Sequence, residues 1–156
     1  MSLAAFEQAV VAVTGRIAGR PVSPALGAAM NAEFPPDGPE FTRLAALCRQ
    51  GIAEGWLCNR EAGGIRYGRA IKATPATHGF SVDVVVMDSI AGPQHAHPGG
   101  EIDMILPETP GAAFDGVGEG WLVYGPGSEH APTVTGGRAV VLYLLPEGAI
   151  EFKKRG

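Results

Sequence analysis

Apolar residues recur at helical spacing along the first third of the chain, and beyond Trp56 the period falls to two. Leu3, Phe6, Val10, Val13 and Ile17 stand three or four residues apart, which predicts a helix with one apolar stripe. Ser2 occupies its N-cap position, and Gly19-Arg20-Pro21 ends it. Glu7, Gln8 and Arg16 lie off the stripe, which serves as packing surface for a barrel or for a second subunit. Ser23-Pro24 opens a second helix running from Ala25 to Ala32, because proline is favoured at the first helical position. Phe34-Pro35-Pro36-Asp37-Gly38 reads as a rigid loop. Phe41, Leu44, Leu47, Cys48 and Ile52 then mark a third helix that ends near Gly55.

From Trp56 onward the pattern is that of strands. Trp56-Leu57-Cys58 reads as a first strand, with Asn59 to Gly64 as a loop after it. Ile65 to Ala73 alternates loosely, and Phe80 to Met87 (FSVDVVVM) is rich in β-branched residues, the composition of a central strand. Gly111 to Gly116 reads as a short strand or hairpin arm and Glu119 to Tyr124 as a strand. Arg138 to Leu145 is a buried strand and Ala149 to Lys153 a last edge strand. Many short strands with Gly and Pro turns predict a mainly β fold of jelly-roll type. Residues 1–55 read as a helical segment packed on a β-barrel of residues 56–156.

Composition narrows the function. The chain has 156 residues and a net charge of −4, enough for one domain with a substantial core. No basic run marks a nucleic-acid surface, and Lys153-Lys154-Arg155 reads as a solvated tail. No stretch is long and apolar enough to span a bilayer or to serve as a secretory leader, so a soluble cytoplasmic protein is expected. Cys48 and Cys58 form no CxxC and read as reduced, buried thiols.

The chemistry concentrates in Gly92 to Leu106, GPQHAHPGGEIDMIL. His95 and His97 share one face of a strand by the period of two. Pro98-Gly99-Gly100 bends the chain so that Glu101 returns as a carboxylate. His130 follows a second glycine turn, Gly125-Pro126-Gly127-Ser128-Glu129. Three imidazoles and a carboxylate suit a divalent transition metal such as Fe, Mn, Ni or Zn. If Glu101 points inward, so does Asp103, as a general base or as a group holding a histidine tautomer; an ordinary strand-end hydrogen bond is the plainer alternative. Arg66 and Arg69 differ in parity, so at most one faces the cavity, where it would form a forked pair with a substrate carboxylate. Tyr67 and Tyr143 are candidates for an aromatic wall. His78 and Glu129 read as loop and turn residues outside this chemistry.

HAHPGGE resembles the HxHxxxE part of the first cupin motif, and GPGSEH is similar to the PxGxxH second motif, with Gly125 in place of the usual proline. Val134 stands where many cupins carry asparagine. The resemblance implies an antiparallel jelly-roll barrel with a metal near one mouth, held by His95, His97, Glu101 and His130. HAHPGGEIDMILPE, the later FDG, GWLVYGPGSEH and the helical first third together resemble a small cupin-like family that includes 4-hydroxylaminobenzoate lyase. That resemblance implies conversion of a small aromatic acid, 4-hydroxylaminobenzoate, to 3,4-dihydroxybenzoate and ammonia, with Arg66 or Arg69 on the carboxylate. Pairing of cupins through sheets and N-terminal segments implies a homodimer. Two other readings stay open: a metal-dependent dioxygenase or isomerase acting on another small acid, and a non-catalytic small-molecule binder.

Overall fold

The structure, a computed structural model, describes residues 3–152; the Ser2 cap and the Lys153-Lys154-Arg155 tail lie outside them. Three helices come first: α1 (Leu3–Ile17), α2 (Pro24–Glu33) and α3 (Pro39–Glu54). Pro24 and Pro39 stand in the first turns of α2 and α3, after Ser23 and Gly38 in extended conformation. Gly55, at φ 83°, ends α3 in the left-handed region. The α1 stripe is buried within the chain from Phe6 to Ile17, and only Leu3 at its start is exposed.

Strands β1 (Arg60–Ala62), β2 (Ile65–Ile71) and β3 (Phe80–Ala91) follow, with a 3-10 turn (Pro75–Thr77) before β3. Two local expectations fail. Trp56-Leu57-Cys58 is no strand, because Leu57 N–H bonds back to the Gly51 carbonyl at 3.0 Å and Cys58 adopts a positive φ of 54°. The expected loop after it instead contains β1, joined to β2 across Gly63-Gly64, whose positive φ values form a tight hairpin turn. His78 does lie in a loop, where its Nδ1 meets the Thr14 hydroxyl at 3.0 Å.

The remaining strands are β4 (His95–His97), β5 (Glu101–Pro107), β6 (Ala113–Phe114), β7 (Gly120–Tyr124), β8 (Ser128–His130), β9 (Thr133–Pro146) and β10 (Glu151–Phe152). Their pairing is nested: β3 with β9, β4 with β8, β5 with β7, all antiparallel, with β6 near the tip. A long hairpin folded over on itself in this way is a jelly roll, so the fold is mainly β with a helical N-terminal segment, as expected. Hydrogen bonding does not close a cylinder. It leaves a seven-stranded sheet in the order β1-β2-β3-β9-β5-β7, with β6 beside β9, and a three-stranded sheet β10-β4-β8.

The large sheet is covered on both faces. Ile102, Met104, Val84, Leu142 and Trp121 share one apolar core with the helices, whereas Ile105, Met87, Val141 and Tyr143 pack in the interior of the jelly roll. Strand β5 therefore alternates between two buried faces, and Glu101 to Leu106 are all buried. Helix α2 docks on the edge strand β7. Asn31 Nδ2 donates to the Trp121 carbonyl at 3.0 Å, and Trp121 N–H donates to Asn31 Oδ1 at 2.9 Å. The side chain thus acts as one more strand residue. The Trp121 indole N–H donates to the Phe34 carbonyl at 2.9 Å, with Phe41 edge-on to the ring.

Two outcomes follow from this packing. Replacing Asn31 by Ala leaves both Trp121 backbone groups without a protein partner, so urea unfolding should show a loss of about 1–3 kcal/mol. Burial pushes the Cys48 thiol far up and that of Cys58 to about 11. Neither should react with a disulfide reagent at pH 8 until the protein is unfolded, when both should titrate.

Candidate metal centre

The nested pairing carries three histidines and a carboxylate to one point between the two sheets. His95 and His97 project from the same face of β4, and His130 on β8 is the register partner of His95. Glu101 comes from the first position of β5 in the other sheet. The chain crosses from β4 to β5 through Gly100, at φ 89°, where a Cβ would lie 2.7 Å from Val22 Cγ1 and 2.8 Å from the Tyr124 carbonyl oxygen. Only glycine fits that crossing.

One donor atom from each of the four residues lies within 4.8 Å of every other. His130 Nε2 is 2.8 Å from Glu101 Oε2, His97 Nε2 is 3.1 Å from the same oxygen, and His95 Nε2 is 3.0 Å from His130 Nε2. Adjacent donors around a six-coordinate ion with bonds of about 2.1 Å would sit about 3 Å apart. Both ring nitrogens of His97 and both oxygens of Glu101 are buried with no well-directed hydrogen bond. The His97–Glu101 and His130–Glu101 contacts are short in distance but poorly aimed at one another. Such orphaned buried groups are costly in a native interior, and lone pairs aimed at a common point fit a cation. The donor set is chemically right for a divalent transition metal, and the geometry fits one.

Burial and mutual contacts shift these groups in different directions. Burial and the neighbouring His97 push His95 down to about 4, so it stays a neutral ligand-type imidazole. Burial alone would raise Glu101, but the close approach of the His130 and His97 nitrogens outweighs it and lowers the carboxylate. Burial likewise disfavours a charged His130, yet the hydrogen bond to Asp115 and the nearby Glu101 carboxylate overcome this and raise it to about 9. Asp103 shares the inward face of β5 with Glu101 and is fully buried. Burial and the Glu101 charge push it well above the carboxylate range, which favours the neutral acid. Both Asp103 oxygens lack partners while both groups are acceptors; once protonated, Asp103 can donate to Glu101.

A cavity of about 860 Å³ opens onto His95 and His97. Parity separates the two arginines, as the strand period requires. Tyr67 and Arg69 line the cavity, whereas Arg66 is not in its lining and reaches the Cys58 carbonyl at 3.5 Å. Arg69 is itself held, with Nε and Nη2 donating to the two Asp83 oxygens at 2.9 and 3.1 Å and Nη2 also to the Gly148 carbonyl. Nη1 makes none of these bonds. Asp103 does not line the cavity, although Tyr143, its register partner, does. Glu129 is exposed on β8, next to His130.

Four contributors were not picked out in the sequence. Arg60 and Lys72 stand with Arg69 on the cavity wall, against a single acid, Asp83. Phe152 on β10 pairs with His95, its ring 6.0 Å from the imidazole, and lines the same cavity. Asp115 accepts from His130 Nδ1 at 2.6 Å, from the Tyr124 hydroxyl at 2.7 Å and from Thr133 N–H at 2.9 Å. Hydrogen bonds from His130 and Tyr124 keep Asp115 low despite its burial. In the sequence Asp115 falls within the short strand or hairpin arm from Gly111 to Gly116, which hides the carboxylate.

Comparison with known proteins identifies the family. The family model for PnbB, 4-hydroxylaminobenzoate lyase, matches residues 8–152. A 4-hydroxylaminobenzoate lyase of Nocardioides sp. (strain LMS-CY) is 36% identical over 79% of this chain and 78% of that protein. One of Pseudomonas putida is 34% identical over 79% and 80%. Among solved structures, an RmlC-like cupin protein from Ralstonia eutropha JMP134 is 12% identical, with a TM-score of 0.42 over 55% of this chain and 57% of that one. By the span of the family match and the identity to these two relatives, the chain belongs to the 4-hydroxylaminobenzoate lyase family.

Proposed function

We propose that the chain is a metal-dependent lyase that converts 4-hydroxylaminobenzoate and water to 3,4-dihydroxybenzoate and ammonia, with His95, His97, Glu101 and His130 as the metal ligands. The observation that carries the reading is the convergence of these four donors, three buried and His130 partly so, beside a cavity, in a member of this family. The reaction is redox-neutral overall: the N–O and C–N bonds break, two ring C–O bonds are present in the product, and the added water balances the loss of ammonia. A bound divalent ion would supply Lewis acidity, polarising an oxygen without any change of oxidation state.

The protein's own contribution is positioning and proton supply. Tyr67 and Phe152 are two of the three exposed large hydrophobic side chains of the described residues, and both line the cavity. Their rings offer flat apolar surface to an aromatic substrate. Arg60, Arg69 and Lys72 give the cavity a cationic excess although the chain as a whole is acidic, which favours a carboxylate. Arg69, oriented by Asp83, keeps Nη1 for that group. Asp103 acts through Glu101: as a neutral acid it holds the Glu101 carboxylate in place.

Metal analysis of purified protein should give about one transition-metal ion per chain, and His97→Ala and Glu101→Gln should each lose it while retaining native far-UV dichroism. Protein without metal even after reconstitution overturns the ligand assignment. Metal-loaded protein should release ammonia from 4-hydroxylaminobenzoate without oxygen uptake; oxygen consumption would point to a dioxygenase, and tight binding without turnover to a binder. Arg69→Gln should raise KM about tenfold with metal content unchanged, and an unchanged KM removes Arg69 from the carboxylate site.

A further inference from the structure

We infer that Asp115 is the positioning residue of the centre: its carboxylate holds the Nδ1–H of His130 and thereby aims Nε2 at the point shared with His95 and Glu101. The inference rests on reading the four-donor cluster as a metal site. Phe114 and Val117 exchange two backbone hydrogen bonds of 2.8 Å, and both residues between them have positive φ, Asp115 at 49° and Gly116 at 82°. This is the tight two-residue hairpin turn for which Asp-Gly is among the preferred pairs. Asp tolerates the left-handed region better than most residues with a side chain.

A carboxylate that only stabilised its own turn would accept from the backbone two residues on. Here that N–H, on Val117, already bonds to Phe114. The Asp115 side chain leaves its turn instead. Oδ1 takes Thr133 N–H, at the start of β9, and Oδ2 takes His130 Nδ1 and the Tyr124 hydroxyl. Asp115 N–H also donates to the Thr133 carbonyl at 2.8 Å, so the turn is clamped to β9 from both backbone and side chain. Buried Phe114 meets the His130 ring edge-on at 6.2 Å, and the Tyr124 ring lies 4.6 Å from it. One ring nitrogen of His130 is thus fixed to a carboxylate. The other lies 2.8 Å from Glu101 and 3.0 Å from His95. A carboxylate on the far nitrogen sets the tautomer and orientation of a ligating imidazole.

Asparagine keeps the turn and the size of the side chain but replaces one acceptor oxygen by a donor, so it cannot serve all three donors at once. Zn²⁺ alone, competed against a chelator, is the probe. Asp115→Asn should bind Zn²⁺ about 10–100-fold more weakly than wild type, with unchanged far-UV dichroism. Tyr124→Phe, which removes one donor but leaves the His130 contact, should change affinity by less than about threefold. In the nitrogen-15 spectrum of Zn²⁺-loaded wild type, His130 should carry its proton on Nδ1, shifted downfield and slow to exchange. Wild-type Zn²⁺ affinity in folded Asp115→Asn overturns the inference, and so does a loaded wild type whose His130 Nδ1 carries no proton. If Asp115→Asn does not fold, that spectrum decides alone. Absence of lyase turnover in wild type, with these Zn²⁺ results as expected, overturns the reaction and leaves the role of Asp115 standing.

Discussion

Everything in the centre depends on the burial of one ionised carboxylate. Glu101 is inaccessible to solvent, beside a second buried acid, on a strand whose other neighbours are apolar. Moving a carboxylate out of water costs several kcal/mol even after relaxation, and Asp103 two residues on makes a negative site worse. The fold answers in two ways. It keeps Asp103 neutral, and it brings three imidazoles to the Glu101 oxygens. Protons and a divalent cation compete for the same nitrogen lone pairs in such a site, and either can balance the charge. The four residues are therefore best understood as one unit, and no single replacement leaves the others unaffected.

That unit can be assembled only by a folded-over chain. His95 and His97 lie on the small sheet and Glu101 on the large one, four residues after His97. The short crossing through Gly100 makes the change of sheet possible. The long return to His130 follows from the nesting of β4 with β8 inside β3 with β9. The helices cover the outer face of the large sheet, so β5 is buried on both sides. This second layer keeps water away from Glu101 from behind, and Asn31 fastens α2 to the edge strand β7 that pairs with β5.

Much of this was legible in the residues. Helical spacing marks the first and third helices, Ser23-Pro24 marks the second, and the glycine-bounded HAHPGGE and GPGSEH segments mark the donors, because side-chain periodicity and turn chemistry are local. Parity alone indicated that at most one of Arg66 and Arg69 faces the cavity, and Arg69 is the one that does. The parts that escaped are those decided by distant pairing. Trp56 to Cys58 has the composition of a strand, but Leu57 is drawn back to the end of α3. Phe152 looks like an ordinary edge residue until β10 is known to pair with β4. The Asp115 carboxylate cannot be tied to His130 without the approach of the turn to β8 and β9, fifteen and more residues away.

The cavity places a further constraint on what the centre can bind. It opens on His95 and His97, while His130 and Glu101 stay out of its lining. This cavity therefore reaches the centre through His95 and His97, with Tyr67, Phe152 and the cations around Arg69 lining the same space. The lining combines flat apolar rings with positive charge, the two features that the proposed aromatic acid also combines. The aromatic and cationic lining comes from β1, β2, the residue after β2 and β10, whereas the four donors come from β4, β5 and β8. The two sets of strands meet where Phe152 pairs with His95. Change in the wall can thus redirect substrate choice without rebuilding the donors, a division of labour suited to a fold that carries many different chemistries.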